Sequence, residues 1–321
     1  MHTLLVTGGA GFIGSTFAKL ALSLGYSVTI LDNLSTGSRE NADKLERLGA
    51  TVVIGDLRNF DLVNSLLKGI DAVVHLGAQV SVPVSVENPL ETEEINITGT
   101  QNVIDSCILN GVNRLIVASS AAVYGENENF PLNEDAGGMV LSPYAESKWQ
   151  NEKQILESRE KGLNSVALRF FNVYGVGQRP DSAYAAVIPK FVDMMVQGNS
   201  PRINGDGLQT RDFVHVNDVC EAIFKFLEHE WKGVKDHVFN VATQTRLSLI
   251  DLINEINTSL KKINASHVEI SPTFGPERVG DIRHSMADNS RLIDATGWQP
   301  KIQFSDGIFE LVGNTYQNMV E

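Results

Sequence analysis

A short apolar run followed by closely spaced glycines opens the chain and constrains its fold more than any other feature. Leu4-Leu5-Val6 predicts a buried strand, and Thr7-Gly8-Gly9-Ala10-Gly11-Phe12-Ile13-Gly14 predicts a tight turn that leads into a helix. We expect Gly8 to allow the turn, Gly11 to let the main chain approach a ligand, and Gly14 to let the helix pack against the strand. The N-terminus of such a helix favours a bound pyrophosphate. This segment therefore predicts a dinucleotide site.

An acidic residue, Asp32, closes the next predicted strand, Ser27–Leu31. A carboxylate about 20 residues beyond the glycines accepts hydrogen bonds from the adenosine ribose and repels the 2′-phosphate of NADP. The sequence therefore predicts NAD as the cofactor. A turn or helix cap formed by the same carboxylate stays open as an alternative.

Apolar strands alternate with helical patterns as far as about Tyr174, which predicts an α/β fold with a doubly wound, Rossmann-like parallel sheet. The predicted strands are Leu4–Val6, Val28–Leu31, Val52–Ile54, Ala72–Leu76, Leu115–Ala118 and Val166–Phe170, and the clearest helices are Phe12–Leu24 and Ile95–Asn110. Glycines and prolines then interrupt the rhythm, and helices follow near Val219–Glu228 and Leu249–Lys261. We expect residues 1–174 to bind NAD and residues 175–321 to form mainly a smaller C-terminal α/β substrate domain, with some segments returning to the sheet.

The formal net charge of -13 argues against nucleic acid or an anionic membrane as a partner. Cys107 and Cys220 are too few for a disulfide framework or a cysteine-rich metal site, and we expect no metal. No apolar stretch approaches the roughly 18 residues of a membrane span, and no export signal precedes the first strand. We therefore expect a cytoplasmic protein.

Three residues suggest acid–base chemistry. Ser120 follows the predicted strand Leu115–Ala118, and Tyr144 and Lys148 lie four residues apart after Pro143, which favours the first turn of a helix. A tyrosine with a pKa of about 10 is a poor base at neutral pH. A lysine cation and a positive nicotinamide ring both favour the phenolate and bring it into the useful range. The three residues form a candidate catalytic group, although Ser120 also fits a loop cap.

The chain resembles the extended short-chain dehydrogenase/reductases, and within them the UDP-hexose 4-epimerases. The segments that carry the resemblance span most of the chain: Thr7–Gly14, Asp32–Gly37, Gly55-Asp56, Ser119–Gly125, Tyr144–Lys148, Arg169–Gly175, Gly205–Asp218 and Arg278–Ser285. The resemblance implies that Ser120, Tyr144 and Lys148 are catalytic. It also implies a cycle in which the sugar C4 is oxidised by NAD, the 4-keto sugar turns over, and hydride returns to the other face.

The resemblance further implies two sets of binding residues. The NAD site would contain Gly8, Gly11, Phe12, Ile13, Gly14, Asp32, Asn33, Ser35, Thr36, Gly37, Asp56, Leu57, Leu76, Gln79, Asn96, Tyr144 and Lys148. The UDP-sugar site would contain Ser120, Asn172, Val187, Asn204, Arg211, Arg278, Asp281 and Ser285. The two arginines suit a pyrophosphate in an otherwise acidic protein.

Departures from relatives of the same fold narrow the reaction. Among relatives of the resembled family, the 4,6-dehydratases and the UDP-glucuronate decarboxylases carry a glutamate two residues after the catalytic serine, and the dehydratases usually an aspartate before it. This chain has Ala122 and Ala121 at those positions. The extra acid or base that elimination and decarboxylation need is therefore missing, which favours epimerisation. A UDP-uronate 4-epimerase and a non-catalytic NAD-binding sensor remain as alternatives.

Substrate range and assembly are further expectations from the resemblance. Ser285 stands where family members restricted to unmodified hexoses resemble a tyrosine, so we expect room for an N-acetyl group at the sugar C2. UDP-glucose/UDP-galactose and UDP-GlcNAc/UDP-GalNAc are then the expected substrate pairs. The resemblance also implies a homodimer formed through helices near Ile95–Asn110 and Tyr144–Lys161.

Overall fold

A parallel sheet lies at the centre of the computed structural model, which describes residues 2–180, 186–228, 236–277 and 282–320. The strands are β1 (Thr3–Thr7), β2 (Ser27–Asp32), β3 (Thr51–Ile54), β4 (Ala72–His75), β5 (Arg114–Ser120), β6 (Asn164–Phe170), β7 (Asn172–Tyr174), β8 (Arg202–Asn204), β9 (Thr210–Arg211), β10 (Phe213–His215), β11 (Val238–Val241), β12 (Leu247–Ser248) and β13 (Thr273–Gly275). The sheet order is β11-β6-β5-β4-β1-β2-β3, and each neighbouring pair is parallel. The predicted Rossmann-like fold is confirmed.

The helices of the described residues either cover one of the two faces of this sheet or pack around a separate apolar core. They are α1 (Phe12–Ser23), α2 (Arg39–Arg47), α3 (Phe60–Leu66), α4 (Val82–Glu87), α5 (Pro89–Glu93), α6 (Gly99–Asn110), α7 (Pro143–Glu160), α8 (Val187–Val196), α9 (Val216–Glu228), α10 (Leu249–Ile263), α11 (Ser290–Thr296) and α12 (Phe304–Val320). A π-helical turn at Glu94–Thr98 leads into α6, so the helix predicted at 95–110 consists of two elements.

The apolar run of β1 explains the two layers. Leu4 and Val6 pack in one buried cluster with Phe17 of α1, whereas Leu5 packs in another with Val103 of α6. Successive side chains of a strand point to opposite faces, so an uninterrupted apolar run is required when both faces are covered. This is why the strands lack alternation in the sequence.

The second half of the chain contributes to both parts of the molecule. Helices α8, α10 and α12 enclose a third apolar core, which contains Ile188, Leu252 and Leu311. Strand β11 instead pairs with β6 in the main sheet, and α9 packs against α1. The short pairs β7–β10 and β9–β12 form two-stranded sheets of their own, separate from the main sheet. The second half of the chain thus adds a smaller α/β unit around the third core.

Candidate active site

A cavity of about 960 Å³ opens at the carboxyl ends of the main-sheet strands. The order of the strands reverses between β1 and β4, which is where open α/β sheets place their ligands. The glycine turn after β1, the ends of β2 and β5, and the start of α7 all contribute to the lining. The cavity therefore brings the predicted dinucleotide turn and the candidate catalytic residues into one space.

The glycine turn fits a dinucleotide closely. Gly8 has a φ of 66°, and a Cβ there would lie 2.6 Å from the backbone nitrogen of Gly77. A Cβ on Gly14 would collide with the carbonyl oxygen of Gly8. Helix α1 begins next to Gly11, whose residue type offers no side chain to cap the first N–H groups. Those N–H groups are placed to bind a pyrophosphate, so the residues present fit NAD.

Asp32 forms the cap that the sequence left open as an alternative, and it lies in the cavity lining. Its carboxylate is buried and accepts backbone N–H bonds from Ala10 at 2.9 Å and Leu34 at 2.8 Å. It also lines the cavity, and a Cβ on Gly37 would lie 2.6 Å from its Oδ1. Asp32 therefore caps both the glycine turn and the loop after β2, and it presents a carboxylate at the end of β2.

Asp56 lines the same region but is already paired. Arg58 donates to both of its carboxylate oxygens at 2.9 and 2.8 Å, and Asn33 donates to it at 3.1 Å. These bonds, the Arg58 bond first among them, lower the pKa of Asp56 to about 2. The carboxylate is thus fixed in its charged form at the rim of the cavity.

His75, at the end of β4, is structural. Its ring lies between the hydroxyls of Thr7, 2.7 Å from Nδ1, and Thr100, 2.8 Å from Nε2. Burial lowers its pKa to about 3, so the imidazole is neutral. The Thr7 hydroxyl also accepts the N–H of Gly77. His75 therefore joins the glycine turn to the loop after β4, in which residues 76–79 line the cavity.

The candidate catalytic residues meet at the end of β5. The Tyr144 hydroxyl is hydrogen-bonded to Ser120, and the Ser120 Oγ also accepts the N–H of Ala122 at 3.2 Å. Lys148 lies one turn along α7 from Tyr144 and donates to the carbonyl of Ala118 at 2.9 Å. The cap predicted as an alternative for Ser120 is thus present together with its bond to Tyr144.

Burial sets the charge states of this group. Burial of the hydroxyl raises the pKa of Tyr144, and the Ser120 bond opposes that rise. Burial also lowers the pKa of Lys148 to about 8, against the carboxylate of Glu152, which raises it. Lys148 is therefore protonated at neutral pH but loses its charge within the mildly alkaline range.

The structure places most of the predicted NAD residues in the cavity lining. They are Gly8, Gly11, Phe12, Ile13, Gly14, Asp32, Asn33, Ser35, Thr36, Gly37, Asp56, Leu57, Leu76, Gln79, Tyr144 and Lys148. Asn96 lies behind the lining, almost fully buried. It accepts from the Gln79 backbone N–H at 2.8 Å and donates to the Gln79 carbonyl at 2.9 Å. Its observed contact is with the loop that lines the cavity.

Three of the predicted substrate residues, Asn172, Asn204 and Ser285, are hydrogen-bonded to residues 209–212. Asn172 donates to the carbonyl of Asp212, the N–H of Ser285 donates to the carbonyl of Thr210 at 3.1 Å, and Gln209 donates to the carbonyl of Asn204 at 2.9 Å. Arg211 itself belongs to this segment, and Val187 begins α8. Of this set only Ser120 is in the described cavity lining. Arg278 and Asp281 lie outside the described residues.

One group of residues behind the candidate catalytic hydroxyls was missed by the sequence reasoning. Ser119 donates to the carboxylate of Glu152 at 2.5 Å, and Arg169 forms a buried ion pair with the same carboxylate. A charged residue in the apolar strand 166–170 was the available signal, since such a residue is rarely buried without a partner.

Comparison with known proteins decides the family. The model of the NAD dependent epimerase/dehydratase family matches residues 4–242. The chain belongs to this family. The UDP-glucose 4-epimerase of Mycolicibacterium smegmatis is 35% identical over 318 residues, which cover 96% of this chain and 96% of the relative.

Two solved structures of the family are similar over their whole length. The UDP-N-acetylglucosamine 4-epimerase from Methanobrevibacter ruminantium, in complex with UDP-N-acetylmuramic acid, is 37% identical, with a TM-score of 0.90 and coverage of 100% of this chain and 99% of that one. The UDP-glucose 4-epimerase of Thermus thermophilus, in complex with NAD, is 33% identical, with a TM-score of 0.84 and coverage of 98% of both chains.

Family membership makes this protein an NAD-dependent enzyme, in agreement with the cofactor predicted from the glycine turn. The extended short-chain dehydrogenase/reductase resemblance is likewise confirmed. No helix in the described parts of the chain is long and apolar enough to cross a membrane.

Proposed function

We propose that this protein is a UDP-sugar 4-epimerase that inverts C4 through a transient 4-keto sugar. One observation carries the proposal: the hydrogen-bonded pair Ser120 and Tyr144, with Lys148 beside it, faces the same cavity as the glycine turn. NAD, held by the residues of the glycine turn and by Asp32, would supply a reversible hydride acceptor. The epimerase activities named for similar proteins point to the same reaction.

The residues of this chain manage the proton. Tyr144, as a phenolate, takes the proton of the sugar 4-hydroxyl, and Ser120 hydrogen-bonds the same hydroxyl and holds it in line. Lys148 supplies a fixed positive charge that favours the phenolate, since its ammonium is held by the carbonyl of Ala118. When the keto sugar is reduced, Tyr144 returns the proton. No second acid is required.

The residues that follow Ser120 favour this reaction over elimination or decarboxylation. Ala121 and Ala122 form the start of a short 3-10 helix directly after Ser120. Their methyl groups offer no acid or base at the reacting carbon. Because elimination needs a further proton donor or acceptor, the site suits a reaction that returns hydride to the carbon from which it left.

We assign the binding of NAD to the cavity-lining residues of the glycine turn, Asp32 and the loops after β3 and β4. We assign the UDP moiety to Asn172, Val187, Asn204, Arg211, Arg278 and Asp281, and the sugar C2 substituent to Ser285. UDP-glucose/UDP-galactose and UDP-GlcNAc/UDP-GalNAc are the substrate pairs of this proposal. Ser285 is small, so an N-acetyl group meets no ring there.

We also propose that the enzyme is a homodimer in the cytoplasm. The outer surfaces of α6 and α7 expose Leu109 and Leu156, at 68% and 44%, on the two helices that the family resemblance implies for the dimer. Cys107 and Cys220 are free and buried, which suits a reducing compartment.

An assay of the purified protein with UDP-glucose, UDP-galactose, UDP-GlcNAc and UDP-GalNAc tests the proposal. We expect each active pair to approach the same epimer ratio from either side, without added cofactor. If the NAD-bound protein converts none of the four but epimerises UDP-glucuronate, a uronate 4-epimerase replaces this proposal. If it converts no UDP-sugar, the proposal is wrong.

A further inference from the structure

Asp212 is a fully buried carboxylate with an unusual number of hydrogen-bond donors around it. Its Oδ1 accepts both the N–H and the hydroxyl of Thr243 at 2.8 Å, and its Oδ2 accepts the N–H of Gln244 at 3.0 Å and of Ala287 at 3.2 Å. Gln244 has a φ of 60°, a left-handed conformation that is rare for a residue with a side chain. The carboxylate therefore holds two loops, one of them in a costly conformation.

The backbone around Asp212 holds two further segments. Its carbonyl accepts both the backbone N–H and the side-chain amide of Asn172, each at 3.1 Å. Two residues earlier, the carbonyl of Thr210 accepts the N–H of Ser285. Arg211 lies between these anchors. Three of the assigned residues, Asn172, Arg211 and Ser285, are thus built onto or anchored to one short stretch of chain.

We propose that Asp212 is a positioning residue for the UDP-sugar: its carboxylate fixes the geometry of Asn172, Arg211 and Ser285 relative to one another. This inference rests on the proposed function. Asp212 is not assigned to contact the sugar or NAD. It acts through the two loops that supply its four donors, residues 243–244 and Ala287. A carboxylate is required because each of its two oxygens accepts two donors, whereas an amide offers one oxygen.

A second buried aspartate provides a matched control. Asp218, on α9, accepts the backbone N–H groups of Lys301 at 3.0 Å and Ile302 at 3.2 Å. Like Asp212 it is almost fully buried and joins segments that are distant in sequence. Neither α9 nor residues 301–302 are in the described cavity lining, and none of these residues is assigned to a ligand. A merely structural effect of losing a buried carboxylate appears in both variants.

The experiment compares Asp212→Asn with Asp218→Asn, measuring kcat, KM for UDP-glucose, bound NAD per protein and Tm. We expect Asp212→Asn to raise KM about tenfold or more, with a smaller fall in kcat and unchanged NAD content, because two hydrogen bonds to a charged group are lost. Asp218→Asn lowers Tm but leaves KM within about twofold of wild type. Equal KM values for the two variants, or a normal KM for Asp212→Asn, overturns the inference.

Thr243→Val keeps the test valid if Asp212→Asn does not fold, since it removes one donor and leaves the carboxylate. It should raise KM about threefold with kcat nearly unchanged; a KM equal to that of wild type contradicts the inference.

Calorimetry with UDP alone separates this inference from the proposed function. If wild type binds UDP but converts no UDP-sugar, the proposed function fails, and the loss of UDP affinity in the variants still decides the role of Asp212. If wild type does not bind UDP, both fail.

Discussion

Glu152 and Arg169 form a bidentate ion pair directly behind the catalytic end of β5. The Arg169 Nη2 lies 2.7 Å from Glu152 Oε2, and its Nε lies 2.8 Å from Oε1. Both side chains are almost completely buried. Because Glu152 belongs to α7 and Arg169 to β6, the pair fixes the helix that carries Tyr144 against the sheet that carries Ser120.

The pair also connects to the catalytic residues on both sides. Ser119, which precedes Ser120, donates to Glu152, and Lys148 lies one helical turn before Glu152. The Glu152 carboxylate raises the pKa of Lys148, against the larger lowering by burial. Glu152 therefore affects both the geometry and the charge of the catalytic group.

The first prediction concerns Glu152→Gln. Without the Glu152 charge, Lys148 loses its proton at lower pH, since its pKa is already lowered to about 8. The alkaline limb of the kcat/KM profile, which reports loss of this proton, should move to lower pH. Breaking a buried ion pair should also cost about 3–5 kcal/mol of stability, read as a fall in Tm.

Glu146→Gln is the control for this prediction. Glu146 lies on the same helix but bonds only to Gln150 in the described contacts, and it is not among the groups that shift the pKa of Lys148. Its removal should leave the alkaline limb in place. If the limb of Glu152→Gln stays at the wild-type pH in a folded protein, Glu152 does not tune Lys148.

The Glu152–Arg169 pair also shows where sequence reasoning ends. The strands of the main sheet up to β6 could be predicted because buried apolar runs and glycine turns are local signals. Strand β11 was not predicted individually, because Val238–Val241 is short and includes Asn240, whose side chain bonds to the carbonyls of Leu132 and Asp288. Such partners are distant in sequence, so the residues that flank the strand carry no local signal of it.

The same limit applies to the site. The turn Gly8–Gly14 and the pair Tyr144 and Lys148 are motifs with a fixed spacing, so the sequence alone could identify them. The π-helical turn at Glu94–Thr98 depends on a tertiary setting, since Asn96 bonds to both Gln79 and Ser147. The role of Asp212 depends on donors from residues 243, 244 and 287, which only the folded chain brings together.

The second prediction concerns Tyr144→Phe. The substitution removes the proton acceptor but little volume, so folding and NAD binding should persist. Turnover should fall at least about 10²-fold, the low end for general acid–base catalysis. Ser120→Ala should reduce turnover less, because it removes a hydrogen bond to the reacting hydroxyl and leaves the acceptor in place. The measurements are kcat, NAD content and Tm.

Tyr124→Phe is the control for this prediction, because we expect it to lower stability and to leave turnover nearly unchanged. The Tyr124 hydroxyl donates to Asn240 at 2.7 Å and accepts from Arg169 at 2.8 Å, away from the reacting groups. Its loss should cost about 1–3 kcal/mol of stability, because two buried groups lose a partner, with kcat within a few-fold of wild type. Near-normal epimerisation by Tyr144→Phe would remove the proposed mechanism.

The third prediction concerns cofactor choice. Asp32→Ala should weaken NAD binding and narrow the preference for NAD over NADP, since the charge that repels the 2′-phosphate is gone. It should also lower Tm, because the N–H groups of Ala10 and Leu34 lose their acceptor. Calorimetric titration of cofactor-free protein with both dinucleotides measures the first effect.

Asp32→Asn separates the two roles of this side chain. It keeps the shape of the side chain and one carbonyl oxygen but removes the charge. The preference for NAD over NADP should therefore narrow, while Tm should fall less than in Asp32→Ala. A wild-type protein that binds NADP as tightly as NAD would show that Asp32 does not select the cofactor.

The fourth prediction concerns Ser285→Tyr. Ser285 is buried, at 9% exposure, and its N–H is fixed to the carbonyl of Thr210 beside Arg211. If its side chain faces the sugar C2, a tyrosine ring should block the N-acetyl group as the keto sugar turns over in the pocket. The clash should reduce kcat/KM for UDP-GlcNAc far more than for UDP-glucose, because only the former has a bulky C2 substituent.

The ratio of the two kcat/KM values, in wild type, Ser285→Tyr and Ser285→Ala, is the decisive measurement. The tyrosine also overpacks a buried position, at a cost of about 1–3 kcal/mol of stability, but that loss affects both substrates equally. Ser285→Ala adds no ring and should keep the wild-type ratio. A tyrosine variant whose ratio stays within about threefold, roughly 0.6 kcal/mol of differential transition-state binding, would mean that Ser285 does not face the sugar. A wild type without activity on N-acetylated substrates would contradict the same assignment and leave UDP-glucose/UDP-galactose interconversion as the reaction.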